Sequence, residues 1–66
     1  MHSPSDKLLR IGEVSERLGV SKNAIYKWVK NNRFPKPIIL GESSSRWFEK
    51  EVEQWLMERP RGGSND

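Results

Sequence analysis

Five side chains between positions 22 and 30, namely Lys22, Asn23, Tyr26, Lys27 and Lys30, can do one kind of chemistry together: offer hydrogen-bond donors and positive charge to an anionic surface. If the segment is helical, 100° per residue gathers them into one arc of about 140°. An ammonium group suits a phosphate or a guanine edge, and an asparagine amide can pair bidentately with an adenine edge. The Tyr26 hydroxyl can reach a phosphate, or its ring can pack on a thymine methyl. Ser21 stands directly before this set and adds a small hydroxyl at its start.

A second group follows in "GESSSR". Ser43, Ser44 and Ser45 are hydroxyl donors small enough to approach a sugar-phosphate backbone. Arg46 has two uses: it can reach phosphate or a narrow minor groove, or it can pair with an acidic residue further along the chain. Glu42 repels phosphate, so the loop is not expected to insert deeply.

Charge is segregated in the same way. From position 22 to position 46 there are six basic residues (Lys22, Lys27, Lys30, Arg33, Lys36, Arg46) against the single acid Glu42, a net +5, while the remainder carries six basic and eight acidic residues, a net −2. The whole-chain charge of +3 hides this division. A basic run interleaved with an aromatic and an amide fits a nucleic-acid partner.

Other chemistries find little support. The chain has no Cys, and its one histidine, His2, lies in a polar stretch at the start, so neither a thiolate nor a clustered-histidine metal site is expected. Gly62 and Gly63 have no helix after them to build a phosphate cradle. Paired carboxylates in a segment long enough to form a pocket are absent too, so the expectation is a protein without catalysis, cofactor or metal. No apolar run approaches the roughly 20 residues of a membrane span, and "MHSPSDK" lacks the apolar core of a signal peptide. Together with the lack of cysteine, this leads us to expect a cytoplasmic protein without membrane contact.

The elements that must position these side chains can be read in turn. Sixty-six residues without a repeat make one small domain, able to hide only about 60% of its unfolded surface. Residues 1–6 and 61–66 are polar and read as flexible tails around a domain at 7–60. "LLRI" at 8–11 fits a short strand, and residues 13–18 a first helix with Val14 and Leu18 on one face. Gly19 ends that helix in a left-handed conformation, and small Ser15 allows a second helix to come close.

Ser21 caps the second helix, with Val20 and Ile25 as a hydrophobic staple. Ile25, Trp28 and Val29 then face a core, opposite the basic arc. Pro35 and Pro37 break the helix; residues 38–40 and 46–48 read as two strands of a hairpin with "GESSS" as its loop. Residues 49–58 form a third helix, acidic in its first turns and packed through Val52, Trp55 and Leu56. Most of the six aromatic rings are expected in the core.

In this order the pieces "GVSKNAIYKWV", "FPKPIILG", "RW" and "EVEQWL" resemble the AlpA family of small phage and prophage regulators, which stand with the excisionase and MerR-like proteins; the likeness covers residues 8–56. The resemblance implies a winged helix-turn-helix fold, mainly α with a small β-hairpin, in which the helix from Lys22 and a wing around residues 43–46 meet double-stranded DNA. It implies a transcription regulator of a prophage or, alternatively, an excisionase that bends DNA and biases a recombinase, with RNA polymerase or a phage integrase as further partners. Gly12 departs from the family pattern, which places Ser or Thr there as a helix cap. MerR regulators continue into a dimerisation helix that is not found here, so a monomer that senses no small molecule is expected. One small module covers about 600–1,000 Å² on DNA, which favours several copies side by side. A protein-binding adaptor, docking through the exposed helix face or its acidic third helix on a regulator or polymerase, is the alternative of another class.

Overall fold

In the computed structural model, which describes residues 6–62, the chain runs β1 (Leu8–Leu9), α1 (Ile11–Leu18), α2 (Lys22–Lys30), β2 (Ile38–Gly41), β3 (Ser44–Phe48) and α3 (Glu49–Met57). The expected tails fall, apart from Asp6, Arg61 and Gly62, outside the described residues. No described helix is long and apolar enough to cross a membrane.

The first helix begins two residues earlier than its apolar spacing suggested. Arg10 occupies the cap position, and its backbone N–H donates to Glu13 Oε1 at 2.9 Å. Glu13 thus reaches back to close a helix start that has no Ser or Thr, and Gly12 lies inside the first turn instead of at the cap. At the other end Gly19 adopts φ +68°, a conformation in which a side chain would be strained although the surrounding space is open.

Ser15 fastens this turn from both sides of its peptide unit. Its carbonyl accepts from the backbone N–H of Gly19 and of Val20, and its hydroxyl donates to the Val20 carbonyl. Its part is therefore to lock the α1–α2 angle as well as to allow close approach. Ser21 then accepts from the Ala24 N–H at 3.1 Å and caps α2 as its type and position imply.

The end of α2 differs from the expected proline break. Asn32 takes φ +59°, while Asn32 N–H donates to the Val29 carbonyl and Arg33 N–H to the Trp28 carbonyl. This is a Schellman ending with asparagine where glycine is commoner, and it stops the helix before Pro35 is reached. The prolines shape the next connection only.

β3 lies at the centre of a three-stranded antiparallel sheet of order β1-β3-β2. Leu8 and Leu9 pair with Phe48 and Trp47, and Ile38 and Ile39 pair with Arg46 and Ser45. Gly41 pairs with Ser44, leaving Leu40 as the extra residue of a bulge. The hairpin turn is consequently just Glu42 and Ser43; Ser44 and Ser45, expected in the loop, are strand residues.

Leu9, Val14, Ile25, Phe34, Trp47 and Val52 form the buried core, so every helix and the central strand contribute to it. Phe34 meets Trp55 edge-on with centroids 4.7 Å apart and Trp47 at 6.3 Å, and Trp28 lies 5.5 Å from Trp55. Two indole N–H groups secure the irregular α2–β2 connection: Trp47 donates to the Pro35 carbonyl at 2.8 Å and Trp55 to the Arg33 carbonyl at 2.7 Å. Both rings therefore satisfy their polar atom while holding backbone that has no ladder of its own. On the far side Arg17 of α1 pairs with Glu49 and, at 3.8 Å, with Glu53 of α3.

Candidate nucleic-acid interface

The outward face of α2 carries Lys22, Asn23, Tyr26, Lys27 and Lys30, all exposed, while Ile25 on the opposite side is fully buried. The helix contains no acidic residue, and among the described residues none of its three lysines is joined to a carboxylate. Its first turn thus combines Lys22, the Asn23 amide and the partial positive charge of the helix N-terminus with nothing to neutralise them. Tyr26 is 48% exposed and lies between Lys22 and Lys30 on the arc. Ser21 spends an oxygen lone pair on the cap and keeps its proton available for donation.

This face is rigidly aimed. The Ser15 hydrogen bonds and the Gly19 turn set α2 against α1, and Val20 and Ile25 pack as the staple at its entry. Such fixing matters because a base edge is read by hydrogen bonds with narrow distance limits.

The wing residues are less alike than their sequence suggests. Ser43 is exposed in the turn, whereas Ser44, Ser45 and Arg46 are half-buried in β3. Strand alternation sends Ser44 and Ser45 to opposite faces, so the two hydroxyls cannot line one groove wall together. Of the two uses expected of Arg46, pairing with an acid of α3 is not found among the described residues: its guanidinium donates to the Ser45 carbonyl at 2.9 Å. Glu49 and Glu53 of α3 pair with Arg17 instead.

Ser15 and Asn32, which set the two ends of the reading unit, were not singled out for these roles in the sequence. The signal was present in each case, a small hydroxyl one turn before a glycine and an asparagine just past a helical stripe, but it becomes specific only once the turn geometry is known. Elsewhere an open groove of about 840 Å³ runs between the α2–β2 connection and α3, lined in part by Arg33, Lys50, Trp55 and Arg59 but also by Glu51 and Glu58. Arg59 sits over the Trp55 ring at 4.5 Å. Its mixed charge sets this groove apart from the uniformly basic face of α2. Among the described residues no group of three His, Asp or Glu side chains is placed to hold a metal.

A helix, a glycine turn, an outward-facing basic helix, an antiparallel hairpin and a packed third helix define the winged helix-turn-helix class. Within that class the chain belongs to the family of the prophage CP4-57 regulatory protein (AlpA), whose model matches residues 7–60. It is 32% identical to a protein of enterobacteria phage P4 named "Uncharacterized protein ORF88", over 86% of this chain and 65% of that one, so it spans about two thirds of that relative's length. It is 36% identical to the DNA-binding transcriptional activator AlpA of Escherichia coli K12, over 80% of this chain and 84% of that protein. No solved structure gives a significant match.

Proposed function

We propose that this protein binds specific double-stranded DNA sites and regulates transcription from them, a reading supported by its likeness to the relative named DNA-binding transcriptional activator. The observation that carries this reading is the outward face of α2: five exposed donor side chains on a helix without an acid, set at a fixed angle by Ser15 and Gly19. Lys22, Lys27 and Lys30 contact phosphate or guanine, Asn23 and Tyr26 read base edges in the major groove, and Ser21 supports the helix start. Ser43 at the turn, with Ser44, Ser45 and Arg46 behind it in β3, brings the wing to the adjacent backbone. The domain spans residues 7–60, acts in the cytoplasm without catalysis, and binds as several copies on tandem sites, with RNA polymerase as its further partner.

Selection of bound fragments from random and genomic DNA tests this. Enrichment of short tandem motifs is expected, and the place of those motifs separates two outputs: a promoter supports activation, whereas attachment sites beside an integrase gene support excision with the integrase as partner. Lys27→Glu is expected to weaken binding of a selected duplex at least tenfold with no change in melting temperature, because the side chain is exposed. Retained affinity in that variant would remove α2 from the interface. Failure to enrich any sequence would favour the protein-binding adaptor.

A further inference from the structure

Gly12 stands inside α1 although its backbone does not call for glycine: among the described residues positive φ is confined to Gly19 and Asn32. An alanine would suit a helix better. What the missing side chain does is leave room. A Cβ at Gly12 would lie 3.9 Å from Lys22 Cε, so the end of that lysine stem passes over the first turn of α1. A side chain much longer than alanine at position 12 would take the place of the stem.

Lys22 is the first residue of α2, and helical side chains lean toward the N-terminus of their own helix, which here carries the stem back toward α1. It also stands at one edge of the arc of about 140°, with Tyr26, Lys30, Asn23 and Lys27 following across it. No acid draws it there. Glu13 accepts from the Arg10 N–H, and among the described residues no ion pair joins Lys22 to Glu13 or to Glu16, one turn beyond Gly12.

We propose that Gly12 is a positioning residue, which seats the Lys22 stem on α1 and thereby assigns its ammonium to a phosphate at the rim of the major groove; this rests on the DNA-binding reading above and narrows it, since Lys22 then reads no base. In a helix-turn-helix unit the second helix enters the groove while the first crosses the backbone. An ammonium carried against the first helix therefore meets phosphate, and base reading is left to side chains further round α2, such as Asn23 and Tyr26. A stem already resting on a helix also loses less rotamer freedom on binding than one projecting into water.

The test titrates a labelled duplex bearing one selected site, and the same duplex with that site altered, with the wild-type chain, Lys22→Met, Gly12→Leu and the double variant, each at several salt concentrations. Lys22→Met keeps most of the stem and loses the charge. It is expected to bind roughly fivefold more weakly, with a slope of log affinity against log salt shallower by about 0.9 and an unchanged preference for the selected site. Gly12→Leu displaces the stem and is expected to weaken binding roughly threefold, with the slope moving the same way. In the Lys22→Met background it should cost nothing further, because the two changes remove one contact. If Gly12→Leu melts early, Gly12→Gln takes its place with the same expectation. Wild-type affinity in the position-12 variant overturns the proposal, and so does a loss that persists in the Lys22→Met background, since the new side chain would then act on the DNA or the fold directly. A reduced site preference in Lys22→Met overturns it as well, by placing the ammonium on a base. A wild-type chain that retains no duplex at all is a different result and strikes the DNA-binding reading itself.

Discussion

Asn23 and Lys27 stand one helical turn apart on the exposed face of α2 and are suited to different tasks. A lysine ammonium attracts phosphate whatever the base, whereas an asparagine amide presents a donor and an acceptor in one plane and matches an adenine edge. Asn23→Ala is accordingly expected to flatten sequence preference by about 1–3 kcal/mol at one base position while leaving binding to unrelated DNA nearly unchanged. Competition between matched and mismatched duplexes measures this, and equal loss on all sequences would assign Asn23 to the backbone. Arg46 shows the limit of a reading based on type alone: where its charge suggested pairing with a carboxylate of the last helix, its guanidinium donates to the neighbouring Ser45 carbonyl.

At the scale of elements, local signals were legible and long-range ones were not. Ser21 as a cap and Gly19 as a left-handed turn depend on chain neighbours only, and both are found where residue type and position put them. Ser44 and Ser45 are strand residues because they pair with Gly41 and Ile39 of β2 around a bulge that no property of serine announces, while the pairing of Leu8 and Leu9 with Phe48 and Trp47 joins residues 40 and 38 apart in the chain. The early start of α1 depends on a contact only three residues long, Glu13 accepting from the Arg10 N–H, which apolar spacing does not report. That hydrogen bond, chiefly, and then the nearby charges of Lys7, Arg10 and Arg17 hold the Glu13 carboxyl below its ordinary range. A lowered folded-state pKa stabilises above the unfolded value and is lost as pH falls through the folded one. Glu13→Gln is therefore expected to lower the melting temperature slightly at neutral pH, with the difference from wild type vanishing in acid below the usual carboxylate range. Thermal melts across pH check this, and a difference that persists in acid would assign the effect to packing.

The whole molecule separates two tasks that compete in so short a chain. The aromatic set and the buried aliphatics hold the fold on one side of α2, which frees the other side to carry uncompensated charge. Aromatic content made a ring-rich core foreseeable, but not that Trp47 and Trp55 would also donate to carbonyls of the α2–β2 connection, because those partners lie 12 and 22 residues away. Trp47→Ala is expected to cost about 3–5 kcal/mol. A 66-residue domain has about 3–10 kcal/mol in total, so calorimetry should find the variant largely unfolded or melting far lower. A small shift in melting temperature would mean that the core does not depend on this ring. Among the described residues no ion pair joins the basic side chains between positions 22 and 46 to an acid, and reading that charge as the footprint of a polyanion is the central claim. The salt dependence of binding to a selected duplex tests it most directly: with about five phosphates neutralised, log affinity should fall against log salt with a slope near −4.5. A slope near zero would contradict it.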